Sequence, residues 1–398
     1  MQTRHMVSAL CAVLTLGCQA TAGPAAPGTS TAPLAFLQPT AQAGKSIPVG
    51  KTPHGMWAVQ GFVYNSNIGD NTISVIDTKT DTVVKTIPVA GGTPGYAHDF
   101  RGGKYVMIVD TKQGNLLIFD PLQDHKLLQT IPLGKGPDHT HEIDDDTVIV
   151  SLTGESKLVQ LKFGEDVSKP PERKDFAVGS NPGEHRAIDS NGGWAITPNA
   201  GDNNTSLVNL ADGKVTTLTD GNAPAPVGIG TIAGTAVSAI VGNTASNTIT
   251  LFGIPAGDKT TLTAVGLAPT DIQVDQNLHR AFLSMAGSND LAVVDFQSKT
   301  LVGRVGLGDR PVHVYNAPKL EAAGKYTLTH DDADQSGEIW IGNDNSASVT
   351  VVDGATLRVK ATIGTGDGHH KMAFWGSKAY VSNLKANTVA VIDRTLLK

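Results

Sequence analysis

The chain has 398 residues, a formal net charge of -6, 17% charged and 5% aromatic residues, and 44 glycines. The acidic balance and the lack of any Lys/Arg cluster argue against a phosphate-binding face, so no nucleic-acid partner is expected. Low charge with abundant glycine suits a turn-rich β protein, and no apolar stretch beyond the N-terminus is long enough to span a bilayer.

In chain order, residues 1–22 read as an export signal, with basic "MQTRH" before the short apolar run "MVSALCAVLTLG". Two processing routes are open. "LTLGC" resembles a lipobox that would lipidate Cys18, although Thr15 stands where Leu is expected, and "ATA" (20–22) suits ordinary signal peptidase. Residues 23–44, rich in Ala, Pro, Thr and Gly, read as a flexible linker. The expected location is the periplasm or cell envelope, with membrane contact only through a lipid anchor. Both cysteines, Cys11 and Cys18, lie in this region, so a metal held by the rest of the chain must use N and O ligands.

From residue 45 the chain repeats. "SVIDTKTDTVVKTIPVAGGTPG" (74–95), "LIFDPLQDHKLLQTIPLGKGPD" (117–138), "AVVDFQSKTLVGRVGLGDRPV" (292–312) and "TVVDGATLRVKATIGTGDGH" (350–369) share one plan. Each has an apolar strand ending in Asp, a polar turn, a second strand, then Gly and usually Pro. The opening prolines Pro53, Pro94, Pro137, Pro182, Pro226, Pro269 and Pro311 stand 41 to 45 residues apart. That period, with four short strands per unit, predicts an all-β, eight-bladed β-propeller over 45–398. The last unit stops after its third strand, "NTVAVID", and "KSIPVG" (45–50) supplies the fourth, closing the ring.

Aligning the units on their innermost strands places His54, His98, His141, His185, His313 and His370 in one column, with Asp271 in the sixth unit and Gly228 in the fifth. His139 and His369 precede that column. Half of the 12 histidines thus occupy one position of an eight-fold repeat. A shared histidine could instead be a packing feature spread by duplication. The rest of each strand has diverged, however, and imidazoles with a carboxylate suit a transition metal. The expected ligand set is His54, His98, His139, His141, His185, Asp271, His313, His369 and His370, with zinc or copper as the ion. Met56 and Met372 would favour copper(I) if they reached the site, but core packing is the expected role.

The segments "NTISVIDTKTDTVVKTIPVAG" and "KAYVSNLKANTVAVID" resemble the YVTN-type β-propeller family of exported proteins. The histidine ring resembles the channels of propeller metallochaperones for zinc. It also resembles those of multicopper propeller enzymes such as nitrous-oxide reductase and thiocyanate dehydrogenase, and, more distantly, haem d1 propellers. These resemblances imply a monomeric metal-binding protein or metallochaperone handing its ion to a periplasmic metal-binding or transport protein. The alternatives are a copper- or haem-dependent oxidoreductase and a cell-envelope interaction scaffold.

"DADQSGEIW" (332–340) offers a calcium loop through Asp332, Asp334 and Ser336, but its last carboxylate is missing, and a hairpin turn is the competing explanation. His125 and His279 read as exposed residues of outer hairpins. His330, beside Asp331 and Asp332, could cap the channel. The acidic run Asp144–Asp146 fits a turn, and no Ser/His/Asp order with a nucleophile elbow is present.

Overall fold

The computed structural model describes residues 31–183, 188–255, 257–320 and 335–397. The export signal, Cys18, His185, His330, Asp332 and Asp334 lie outside the described residues.

Eight antiparallel sheets follow one another along the chain, each of four strands running outward in sequence order. These are the expected eight blades. Blade 8 takes its fourth strand from the other end of the chain: Lys45–Pro48 pairs antiparallel with Thr388–Asp393, and Ile47, facing Val389, is 3% exposed. Blade 7 gains a fifth strand, Ala41–Gln42, parallel to its outer edge at Ile363 and Gly364. The expected flexible linker is therefore tied down from residue 31 onward. Leu34 N donates to Ser288 O (2.9 Å), Leu37 N to Leu307 O (2.6 Å) and Thr40 N to Thr362 O (2.8 Å). Arg304, in a buried ion pair with Asp290 at 2.5 Å, also donates to Ala32 O. Backbone pairing across blades 6 to 8 outweighs the flexible composition of this stretch.

Two devices of the repeat have a visible cause. The Asp or Asn that ends the third strand accepts from amides two and three residues on, as Asp77 does from Lys79 and Thr80, and Asp295 from Gln297 and Ser298. This is an Asx turn, which starts the outer hairpin. The glycine three residues before a blade opens packs on the residue that ends the second strand. A Cβ on Gly308 would lie 2.6 Å from Asn343 Cγ, and one on Gly50 would lie 2.6 Å from Asn67 Cγ. Those asparagines cross-link their blade by donating to residues five and seven positions on, as Asn343 does to Ser348 and Thr350.

Blade 5 opens at Pro224, which pairs with Asn243, rather than at the expected Pro226. In blade 8 the proline is replaced by His369, which pairs with Asn383 as Pro311 pairs with Asn343. Met56 is fully buried in an apolar cluster with Val63 and Tyr380, as expected of a packing residue. Ser336 spends its hydroxyl on Ala317 O (2.8 Å) inside the blade 7 strand pair.

A chain starting at residue 51 lacks the closing strand and leaves Val389 and Val391 on an open edge. It is expected to melt well below a chain starting at residue 31, as read by circular dichroism. Equal midpoints would contradict closure by Lys45–Pro48.

Candidate functional site

Among the described residues, the innermost strands of blades 1 to 3 and 5 to 8 begin with a β-bulge just after the opening residue, for example between Pro53 and Met56, and between Pro94 and Ala97. In blades 3, 6 and 8 a serine of the facing strand accepts from the bulged amide: Ser151 from His139 N (3.2 Å), Ser284 from Asp271 N (3.1 Å) and Ser382 from Lys371 N (2.8 Å).

The bulges spread the expected histidine column over several levels. By pairing register, His98 and His141 share a level with Trp57, Gly228, Gln273 and Tyr315. His139, Asp271 and His313 stand two residues nearer the opening, while His54 and His370 follow it directly. In blade 4, Pro182 bridges Asn199 and Asp189 pairs with Ile196, so Asp189 takes the level of His98 and His141. The three extra residues between Pro182 and that level are the signal that could have found Asp189. Sequence alignment could not count them without knowing the strand partners.

His98, His139, His141, Asp271 and His313 line one cavity, open to solvent, at a mouth of the channel, with aromatic walls from Trp57, Tyr96, Tyr315 and Phe374. Its histidines are held by carboxylates. Nδ1 of His139 lies 2.9 Å from Asp138, Nδ1 of His98 3.0 Å from Asp99, and Nδ1 of His313 3.3 Å from Asp271. A carboxylate beside Nδ1 places a proton there and leaves Nε2 as the acceptor in the neutral ring. Burial alone would depress His98, but the Asp99 carboxylate outweighs it and its pKa is raised. Rings stack round the wall: His98 on Trp57 at 4.2 Å, and His139 on Tyr96 at 3.7 Å between centroids. Lys371 Nζ stands 5.0 Å from the Tyr96 ring centre and 5.5 Å from that of Tyr315.

His54 and His370 sit behind this wall, at the seam where blade 8 meets blade 1. Their ring centroids are 3.9 Å apart, with Tyr96 4.9 Å from His54 and His313 4.9 Å from His370. His369 turns back between blades 7 and 8. Its ring fills the space over Gly342, where any Cβ would collide with it. Burial, and then the neighbouring His139 and His313, push His54 down to about 3; burial likewise holds His369 and His370 well below the usual histidine value. Among the described residues, no three His, Cys, Asp or Glu side chains are arranged to hold a metal ion.

His141 also touches Ser190, with Nδ1 2.8 Å from its Oγ, while Nε2 stands 3.3 Å from Asp189. Sequence order gave no hint of this Ser/His/Asp contact. Nδ1 also lies 3.0 Å from the carbonyl of Glu142, and Ser190 Oγ lies 3.4 Å from the same carbonyl. Glu142, buried beside Asp99, is pushed up to about 7.

His125 and His279 differ from expectation. His125 is 8% exposed, bonded through Nδ1 to Tyr64 Oη at 2.7 Å and packed edge-on to Phe62. Blade 1 covers the blade 2 hairpin, which a repeat pattern alone does not reveal. His279 is half-buried against Phe296, in the turn between the two innermost strands of blade 6 rather than in an outer hairpin.

No protein-family model matches the chain, and no curated protein matches it in sequence. Among solved structures it is similar to Sqt1 of Saccharomyces cerevisiae, with a TM-score of 0.71 and 10% identity over 89% of this chain and 99% of that one. Sqt1 of Chaetomium thermophilum, solved bound to the N-terminus of ribosomal protein L10, gives a TM-score of 0.71 and 11% identity over 89% of this chain and 100% of that one. Virginiamycin B lyase of Staphylococcus aureus gives a TM-score of 0.53 and 13% identity over 75% of this chain and 94% of that one. The chain is a β-propeller. At these identities the likeness extends to fold alone.

The seam histidines tie stability to pH. Their pKa values are lower folded than the ordinary 6.5, so protonation favours the unfolded chain. Their stabilising contribution is complete above about pH 6.5 and is lost as pH falls from there toward the folded values. Glu142, raised on folding, acts in the opposite sense between its ordinary value of 4.5 and about 7. The double variant His54→Leu/His370→Leu is therefore expected to lose roughly 1.4 kcal/mol of acid sensitivity per pH unit for each imidazole removed. Urea unfolding at pH 5.0, 6.0 and 7.5 checks this, and an unchanged pH slope would contradict it.

Proposed function

We propose that this protein is an exported propeller, as the YVTN-type resemblance suggests, and that its channel mouth takes a small organic molecule. The observation that carries this reading is the mouth cavity itself. It is walled by Trp57, Tyr96, Tyr315 and Phe374, with the oriented imidazoles of His98, His139 and His313 among them. Aromatic faces give area for a flat ligand, and a few fixed polar groups give orientation. A ligand-observed NMR screen of planar fragments tests it. Fragments are expected to bind the wild type and to lose most of their affinity for Phe374→Ala. Equal behaviour of the two proteins, with both folded, would contradict the reading.

A second reading is supported by the seam. His370 neighbours both His54, at 3.9 Å, and His313, at 4.9 Å between centroids, Asp271 lies beside His313, and His54 and His370 are uncharged at neutral pH. Neutral imidazole is the ligating form, so zinc or copper could be bound here after the rings rotate. In this reading the protein passes its metal to a periplasmic partner or uses copper in oxidation. Calorimetric titration with zinc, and anaerobically with copper(I), is expected to show binding that His313→Ala/His370→Ala abolishes. If neither metal binds the wild type, the metal reading falls and the organic ligand stands alone.

A further inference from the structure

We propose that the mouth ligand is an aromatic monocarboxylate, whose carboxylate is received by Lys371 while its ring lies on the aromatic walls. The inference rests on the organic-ligand reading of the mouth cavity and adds the charge of the ligand to it.

Pairing register places Lys371 in the outermost level of the mouth. Met372 pairs with Val381 as Ala97 pairs with Ile108 and Thr140 with Val150, so Lys371 stands level with Tyr96 and His139. Gly55, Asp271 and His313 complete that level in blades 1, 6 and 7. Lys371, Tyr96, His139, Asp271 and His313 all line the cavity. Gly55 gives blade 1 no side chain there, and Lys371 reaches across the gap from blade 8. Its Nζ lies 5.0 Å from the ring centre of Tyr96 in blade 2 and 5.5 Å from that of Tyr315 in blade 7. Those blades stand on either side of the blade 8 and blade 1 pair. An ammonium near both rings is inside the mouth, not packed between two blades.

The cavity wall has one basic and one acidic side chain besides its histidines. Among the described residues that line it, Lys371 is the one lysine or arginine and Asp271 the one carboxylate. Asp99 and Asp138 stand behind their histidines and outside the lining. Asp271 is 4% exposed and serves three groups of the fold. Its Oδ1 accepts from Ile272 N at 2.8 Å, and its Oδ2 accepts from Val314 N at 3.0 Å and lies 3.3 Å from His313 Nδ1. Lys371 is only half-buried, and its ammonium lies near two ring faces. A ring face attracts a cation through its quadrupole and leaves the positive charge in place. The mouth thus presents one cation beside flat apolar walls. One negative charge on a flat ring matches it: the ring stacks on the aromatic faces, and the carboxylate meets the ammonium away from bulk water, where the attraction exceeds that of an exposed pair.

The test titrates 2-naphthoate and 2-naphthamide, which share a shape and differ in charge, against the protein by ligand-observed NMR at neutral pH and low salt. The wild type is expected to bind the carboxylate about tenfold more tightly, the factor matching a hydrogen bond to a charged group. Lys371→Met keeps the unbranched stem and should bring the two affinities together, whereas Lys371→Arg should keep the preference. Lys79→Met, which removes an exposed lysine from an outer hairpin, should also keep it. In the wild type, added salt should shrink the preference and leave the amide's affinity unchanged. If the wild type binds both compounds alike and Phe374→Ala abolishes both, the cavity binds ligands and the carboxylate proposal is wrong. A preference that survives Lys371→Met, or that Lys79→Met removes as well, would also overturn it. If neither compound binds the wild type, the organic-ligand reading fails and this proposal with it.

Discussion

A ring of blades leaves the inner edge of every innermost strand without a strand partner, and the channel depends on how those edges are satisfied. In this protein the partners come from side chains of the adjoining blade. Asp271 of blade 6 accepts from Val314 N of blade 7 at 3.0 Å, Asp189 of blade 4 from Ile229 N of blade 5 at 2.7 Å, and Glu142 of blade 3 from Arg101 N of blade 2 at 3.0 Å. Gln276 does this twice, bonding Thr231 N and Ile229 O. A buried amide without a partner costs about as much as a lost hydrogen bond, so these contacts set which polar residues the channel must contain. Asp271, which reads in sequence as a metal ligand, is thereby explained in part as a link between blades.

Much of the fold was legible because its causes are local and repeat. The strand-ending Asp makes its own turn, the glycine before each blade makes room for Asn67, Asn343 or an equivalent, and the incomplete last unit implies its missing strand. The site was less legible, because the inner-strand bulges shift side chains by one or two residues in a way sequence alignment does not register. The apparent column of histidines became three groups: His98 and His141 at one level, His139 and His313 with Asp271 at another, and His54 with His370 at the closing seam. His369 read as a ligand because it adjoins His370, yet it occupies a proline's position and packs over Gly342. His125 read as exposed because nothing in blade 2 shows that Tyr64 of blade 1 covers it.

The same repeat that hides register makes departures from it informative. Where seven blades can be compared at one level, a lone lysine such as Lys371 stands out without any relative for comparison. Fold similarity to Sqt1 and to virginiamycin B lyase, at 10 to 13% identity, says nothing about these positions. What distinguishes this propeller is the chemistry at its mouth: imidazoles beside carboxylates, and aromatic walls, in one cavity.

The claim that side chains from adjoining blades satisfy the free inner edges is tested most directly by amide hydrogen exchange in Asp271→Ala. The account predicts that exchange at Val314 quickens by about tenfold or more, as expected for loss of a hydrogen bond to a charged acceptor, while amides in the sheets of blades 2 and 3 keep wild-type rates. Unchanged exchange at Val314 in the folded variant would contradict it.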